Sequence, residues 1–116
     1  MKLVTGIIQP QMLAEVIDAV TARGARGLTS SEVHGFGQQY GQQSAHEQVH
    51  WGPGRQAALL PKIRVDIAVP DDLAEAMVDA IAKGATKGTI GDGKIWVTPV
   101  DSALRVRTGE RNDDAL

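Results

Sequence analysis

The sequence predicts a single α+β domain in which two strand–helix–strand units are joined by a long loop. Three observations carry this prediction: an alternating apolar run at residues 61–69, apolar residues at helical spacing over 13–20 and 73–81, and a polar aperiodic stretch over 38–60. With 116 residues, 42% of them hydrophobic, the chain is long enough to bury one core of its own.

The first unit reads as a strand, a helix and a second strand. Residues 3–8 are mostly apolar on both faces, as in a central strand. Pro10 is well tolerated in a first helical turn, and Gly24 is a plausible stop. The helix buries one face, formed by Leu13, Val16, Ile17 and Val20. A second strand is predicted over residues 27–36.

Residues 38–60 show neither helical nor strand periodicity, so we expect a loop without regular structure. Trp51 lies within it, and a tryptophan is costly to leave in water. Two interpretations stay open for Trp51: it packs back on the domain, or it anchors a partner protein.

The second unit begins with the clearest strand of the chain, residues 61–69. Asp71 or Asp72 is expected to cap the next helix, with Glu75 completing a capping box. That helix buries Leu73, Met77, Val78 and Ile81. A last strand runs over 94–98, and Pro99 ends it or marks it as an edge strand. Residues 108–116 are predicted to be a loose polar tail.

Two such units form a ferredoxin-like βαββαβ fold, an antiparallel sheet with both helices on one face. The other face must then be covered, and in so short a chain the expected cover is another subunit.

Composition excludes several classes of protein. The net charge of -2 offers no global basic field for nucleic acid, and 3% aromatic residues give few stacking platforms for single strands. The absence of cysteine excludes disulfides and thiolate metal sites. The N-terminal apolar run is too short for a signal peptide, and no run approaches membrane-spanning length. We therefore expect a soluble cytoplasmic protein.

The glycine-rich stretch at residues 86–94 is the strongest candidate for a functional segment. Glycines allow main-chain N–H groups to approach an anion, and Lys87 and Lys94 flank them. Arg105 and Arg107 would share one face if their segment is extended. The alternative is an ordinary tight turn before a strand, and the spacing is not that of a Walker A motif.

Other chemistry finds little support. His46 and His50 have the i, i+4 spacing of a helical metal pair, but nothing indicates a helix there, so we expect no metal site. No Ser/His/Asp arrangement or carboxylate pair stands out, and we expect no catalysis.

Several motifs together resemble the P-II nitrogen-regulatory signalling proteins over nearly the whole chain. They are Met1–Thr5 with Ile7-Ile8, Gly27-Leu28-Thr29, Glu32-Val33, Gly35-Phe36-Gly37 with Gln39 and Gly41, Leu60-Pro61-Lys62, Ile90-Gly91-Asp92-Gly93-Lys94-Ile95 and Arg105-Val106-Arg107-Thr108-Gly109-Glu110. Each is weak alone, but all of them in this order are specific.

The resemblance implies a ferredoxin-like homotrimer and one domain over residues 1–116, with a partner-binding T-loop at 37–60. In this family ATP and ADP compete for clefts between subunits, and 2-oxoglutarate binds beside Mg-ATP. Positions matching nucleotide contacts are Thr29, Gly37, Gln38, Ala68, Gly91, Asp92, Gly93, Lys94, Arg105 and Arg107, with Thr29 and Ala68 at the adenine. Gln39 and Lys62 match positions used for Mg and 2-oxoglutarate.

The chain also departs from the family pattern. Gln38 replaces a common phosphate-contacting Arg, and Gln9 replaces the Lys or Arg that meets the distal carboxylate of 2-oxoglutarate. We therefore expect weak or absent 2-oxoglutarate binding. The T-loop is about four residues longer than usual and lacks the modifiable tyrosine, although Ser44 offers a hydroxyl. Trp51 lies near the position at which the family has the modifiable tyrosine.

Two other classes compete with this non-enzymatic, nucleotide-sensing regulator. An acyl-phosphate or phosphate-ester hydrolase on the same fold needs a water-positioning Asn, and the only one is Asn112 in the tail. A metal-responsive trimer would need His34, His46 and His50 to converge.

Overall fold

The computed structural model describes residues 1–36, 47–52, 55–88 and 92–116. The described elements, in chain order, are β1 (Lys2–Ile8), a 3-10 turn (Pro10–Met12), α1 (Leu13–Ala22), β2 (Thr29–Gly35), β3 (Glu47–Gly52), β4 (Arg55–Val69), a 3-10 turn (Asp71–Leu73), α2 (Ala74–Ala85), β5 (Gly93–Pro99) and a 3-10 turn (Asn112–Ala115).

Four strands form an antiparallel sheet in the order β2-β4-β1-β5. Val4 faces Ile67 on one side and Val97 on the other, which places β1 and β4 in the centre. This order confirms the predicted βαββαβ architecture. Pro99 is the last residue of β5, which pairs with β1 alone among the described strands, as expected for an edge strand.

The core lies between one face of the sheet and both helices. Its largest fully buried side chains come from the alternate positions of β1 and β4 and from the inner faces of α1 and α2: Val4, Ile8, Val65, Ile67, Val16, Val20, Met77 and Ile81. Met77 is 0% exposed, which confirms its predicted role in the core. Ile17 was expected on the buried face of α1, but it is 40% exposed because it lies at the margin of that face.

The predicted loop without regular structure is wrong at residues 47–52 and 55–60. Strand β3 pairs antiparallel with the N-terminal part of β4, which continues well beyond the main sheet. A hairpin held by main-chain hydrogen bonds needs no alternating apolar pattern unless one of its faces packs against a core. Periodicity therefore gave no signal for these strands.

The predicted capping box on α2 is not formed. The chain enters the helix through the 3-10 turn Asp71–Leu73, where the Leu73 N–H donates to the Pro70 carbonyl at 3.0 Å, and no side chain caps the helix. Asp71 accepts a hydrogen bond from the Met1 ammonium at 2.8 Å instead. That contact lowers the pKa of the Asp71 carboxyl.

The C-terminal residues are ordered against the chain that precedes them, so the prediction of a loose tail is wrong. Leu104 forms a β-bridge with Arg111, and the Asn112 N–H donates to the Ala103 carbonyl at 2.9 Å. The Asn112 side chain accepts from the Ala103 N–H at 3.2 Å. A polar composition does not prevent order when main-chain groups find partners so close in sequence.

Candidate functional site

The glycine-rich connection between α2 and β5 is held by a carboxylate. The Asp92 Oδ2 atom accepts hydrogen bonds from the Lys87 N–H at 2.9 Å and from the Gly88 N–H at 2.8 Å. Gly88 has a φ of 78°, a conformation that favours glycine. Together these bonds close a short loop between the end of the helix and the start of the strand.

Gly93 begins β5 at a point where no side chain fits. Its φ is 121°, and a Cβ there would lie 1.8 Å from the carbonyl oxygen of Ile7. The strand can therefore approach β1 this closely only with glycine at this position. Lys94 follows directly, exposed and paired in register with Ile7.

Beside this turn lies a hollow of about 150 Å³. Apolar and polar residues line it together: Ile7, Ile8, Ala82, Ala85, Thr86, Asp92, Gly93, Lys94 and Ile95. A lysine beside an apolar wall suits a phosphate-bearing ligand with an apolar part.

Lys62 belongs to the same end of the sheet. The pKa of the Lys62 ammonium is lowered overall, because the lowering effect of burial is larger than the raising effect of the Asp92 carboxylate. Ile8 pairs with Ile63, the residue after Lys62, on one side and with Gly93 on the other. Lys62 and residues 92–94 therefore lie at the same end of the sheet.

Ala68 lies at the opposite end of the sheet, paired with Leu3. It lines a second cavity of about 370 Å³, with Gly24, Arg26, Val69, Pro70, Leu73, Glu110, Asp113, Asp114 and Leu116. Leu3 and Ile7 are separated along β1 by roughly 13 Å, at the rise of a strand. Thr29 lies between these ends, where it pairs with Asp66.

The segment of Arg105 and Arg107 is not extended, so the condition under which the two were expected to share one face is not met. Residues 106–108 form a turn, closed by the Gly109 N–H, which donates to the Arg105 carbonyl at 2.8 Å. The Arg105 guanidinium donates to Glu110 Oε1 at 3.3 Å and to the Leu116 carbonyl at 3.0 Å. Leu116 lines the same cavity as Ala68, so Arg105 lies at the Ala68 end of the sheet. Arg107 is exposed on the turn.

A polar network on the face away from the helices had no clear signal in the sequence. The Thr5 hydroxyl, 0% exposed, donates to Asp66 Oδ1 at 2.6 Å, and Arg64 Nε donates to Asp66 Oδ2 at 3.0 Å. Burial opposes ionisation of Asp66, but the hydrogen bonds from Arg64 and Thr5 and the Arg64 charge together lower its pKa. The only hint was the alternation of Arg64 and Asp66 in β4, which puts both on one face.

Several predicted site residues lie outside the described residues: Gly37, Gln38, Gln39 and Gly91. Ser44 and His46 lie outside them too. Trp51 belongs to β3, but its side chain is not among those described, so neither interpretation of Trp51 is tested.

Within the described residues, no three His, Cys, Asp or Glu side chains converge on a metal site. The helices of the described parts are too short or too polar for any of them to cross a membrane. Asn112, which the hydrolase interpretation needs beside a phosphate, instead closes the C-terminal turn against Ala103.

Comparison with known proteins connects this geometry to one family. Residues 1–110 match the family model of nitrogen regulatory protein P-II. The chain is 46% identical over 116 residues to the nitrogen regulatory protein P-II of Rhizobium etli and 42% identical over 116 residues to the nitrogen regulatory protein GlnK of Escherichia coli strain K12, with 100% of each chain covered. The nitrogen regulatory protein P-II of Cereibacter sphaeroides is 41% identical over the same span. The chain belongs to the P-II family of nitrogen regulatory, signal-transducing proteins.

Proposed function

We propose that this P-II protein binds ATP and ADP in clefts between the subunits of a homotrimer and signals to partner proteins through residues 37–60. The supporting observation is the separation of its cations. Lys62 and Lys94 lie at one end of the sheet, and Arg105 lies with the tail at the other. A polyphosphate site that uses both sets needs a second copy of the chain.

In this proposal the Lys94 end of one subunit meets the Arg105 end of its neighbour. Lys94 supplies a point charge, and Gly91 and Gly93 let the main chain approach the phosphates. Arg105 and Arg107 supply guanidinium donors from the neighbouring chain. Thr29 and Ala68 are proposed for the adenine, and Gly37, Gln38, Gln39 and Lys62 for the terminal phosphate, Mg and any second effector.

The trimer has support in the exposed surface of the sheet. Both helices pack on one face of the sheet, and neither of these helices lies against the other face. That open face carries Leu3, Ile7 and Trp96, and Trp96 is 38% exposed. Apolar side chains on an uncovered sheet favour burial against other subunits. Light scattering should give three times the 12.3 kDa mass of the chain, and a stable monomer at micromolar concentration would contradict the proposal.

Mixed trimers test whether the site lies between subunits. Lys94→Ala and Arg105→Ala should each weaken ADP binding by about tenfold or more, because a charged hydrogen bond contributes about 1.5–3 kcal/mol. When the two variants are co-expressed, roughly a quarter of the clefts should pair an intact Lys94 with an intact Arg105 from another chain. Calorimetry should then detect this fraction of sites at wild-type affinity.

A site within one chain could never be restored in this way. The matched control is co-expression of Lys94→Ala with a Lys94→Ala/Arg105→Ala double variant, in which no cleft has an intact Lys94. Recovery in the control, or none in the test mixture, would contradict a site between subunits.

The loop part of the proposal has a separate test. ATP and ADP differ by one phosphate, and a ligand shifts a loop only by its differential affinity for the loop states. Trp51 fluorescence in a Trp96→Phe background should therefore differ between the two complexes. Identical emission and identical proteolysis of residues 37–60 in both complexes would exclude signalling through loop conformation.

A further inference from the structure

Asp92 is a conspicuous residue in the glycine-rich turn because its charge has the wrong sign for a phosphate ligand. A carboxylate beside a polyphosphate repels it, and the repulsion grows as water is excluded. Yet Asp92 is only partly exposed, and it lines the same hollow as Lys94. A role that offsets this repulsion is therefore needed to explain an acid here.

The hydrogen bonds of Asp92 supply such a role. Its Oδ2 atom accepts from two consecutive main-chain amides, those of Lys87 and Gly88, at 2.9 and 2.8 Å. These amides directly follow the end of α2, where the Thr86 side chain is already bonded back to the Ala82 carbonyl. The Asp92 carboxylate thus ties the residues that follow α2 to the residue that precedes β5.

The two ends of the turn are then held by different means. At one end Asp92 binds the amides of Lys87 and Gly88, and Gly88 takes a φ of 78°. At the other end Gly93 lies directly against the Ile7 carbonyl, where no Cβ fits. Main-chain groups that are already held in place, here those of Lys87, Gly88 and Gly93, have less conformational entropy to lose when a ligand binds beside them.

We infer that Asp92 is a positioning residue: it holds Lys87, Gly88 and the entry into β5 at Gly93 and Lys94 in place for the phosphates, without touching them itself. The inference rests on the proposed nucleotide function and deepens it. Asp92 then contributes to affinity by lowering the entropic cost of holding the main chain in place when the nucleotide binds, and it makes no direct contact with the nucleotide.

The test combines amide hydrogen exchange in the nucleotide-free protein with ADP calorimetry in the absence of Mg²⁺. In the wild type, the Lys87 and Gly88 amides should exchange slowly. Asp92→Ala should raise their exchange rates and lower ADP affinity, each by about tenfold. Asp92→Asn keeps an oxygen that accepts both N–H groups, so it should retain most of the protection and of the affinity.

The direction in which ADP affinity changes in Asp92→Ala distinguishes a positioning role from a purely electrostatic effect of the charge. Loss of a negative charge alone would strengthen ADP binding, so tighter or unchanged binding in Asp92→Ala would overturn the inference. Asp101→Ala removes the same charge from an exposed position beyond the end of β5 and should change neither readout. Should Asp92→Ala fail to fold, Asp92→Ser, whose shorter side chain cannot span to both amides, carries the same expectation.

The two proposals can fail separately. Fast exchange of both amides in a wild-type protein that binds ADP would overturn the role of Asp92 and leave the nucleotide function standing. If the two amides are protected but the wild-type protein binds no ADP, the nucleotide function is overturned. The role of Asp92 in phosphate binding is then overturned as well.

Discussion

Gly84 in α2 lies against the backbone of Val16 in α1. A Cβ on Gly84 would be 2.9 Å from the Val16 Cα and 3.0 Å from the Glu15 carbonyl oxygen. The helices therefore cross at a point where only glycine allows their backbones to meet. Because the atoms in the way belong to the main chain, no side-chain rotation relieves the clash.

Gly84→Ala should therefore destabilise the protein. In an open helix this change stabilises by up to about 1 kcal/mol, since alanine is the better helix former. Overpacking at the crossing should outweigh this and lower the free energy of unfolding by about 1–3 kcal/mol. Urea unfolding checks the value. Gly27→Ala, where a Cβ meets nothing within 4 Å, is the control and should change stability by less than about 0.5 kcal/mol.

Two glycines of the candidate site should respond differently to alanine. Gly93→Ala puts a Cβ 1.8 Å from the Ile7 carbonyl oxygen, so the start of β5 must separate from β1. Gly88→Ala meets no atom within 4 Å and incurs only the strain of a positive φ, about 1–2 kcal/mol. Circular dichroism and ADP calorimetry should show a large loss for Gly93→Ala and a small one for Gly88→Ala. Equal effects would mean that backbone contact with Ile7 does not govern the site.

The sequence predicted the sheet and the helices because burial imposes periodicity, and it singled out the glycine-rich stretch with Lys94 because glycine marks special backbone. It could not predict the bonds from Asp92 to the amides of Lys87 and Gly88, since a side chain that binds main-chain groups leaves no repeating pattern. The ordered tail was missed for a similar reason. It depends on the pairing of Asn112 with Ala103, nine residues apart, among residues whose polarity alone suggests solvation.

The free energy of unfolding should depend on pH in the acid range because of Asp66. Its pKa is lowered in the folded protein, so its contribution is fully present above the pKa of the unfolded chain and is lost as the pH falls through the folded value. Between about pH 5 and pH 2.5, the free energy of unfolding should fall more steeply in the wild type than in Asp66→Asn, which has no carboxylate to protonate. Asp101→Asn, at an exposed site, should keep the wild-type slope. Equal slopes for wild type and Asp66→Asn would refute this assignment.

Glu110 should restrain the phosphate-binding role proposed for Arg105. Its carboxylate accepts from the guanidinium at 3.3 Å, and both side chains are substantially exposed, so the pair contributes at most about 1 kcal/mol. Glu110→Gln should weaken one of the two contacts of Arg105, while the bond to the Leu116 carbonyl remains, and tighten ADP binding by up to about fivefold, as measured by calorimetry at low salt. The gain should vanish in an Arg105→Ala background, and Glu15→Gln on α1 should give none. A gain that persists without Arg105 would show that general charge is responsible.

The last prediction concerns 2-oxoglutarate, which Gln9 should disfavour. The ligand is a dianion, and Gln9 offers it no charge; its Oε1 atom also accepts from Gln11 Nε2 at 2.6 Å, which orients the amide within the chain. A missing charge-assisted hydrogen bond costs on the order of 1–2 kcal/mol. Gln9→Lys should therefore increase 2-oxoglutarate affinity about tenfold in the presence of Mg-ATP, while ADP affinity stays unchanged.

Two controls make this outcome interpretable. Gln11→Lys adds the same charge two residues away and should produce a much smaller gain, since screening weakens an exposed charge that does not meet the ligand. Glutarate, which has the same carbon chain and both carboxylates but no keto group, should gain less than 2-oxoglutarate because it lacks the keto oxygen expected to meet Lys62 and Mg. A micromolar dissociation constant for 2-oxoglutarate in the wild type would contradict the prediction, because another cation would then have to serve the distal carboxylate in place of residue 9.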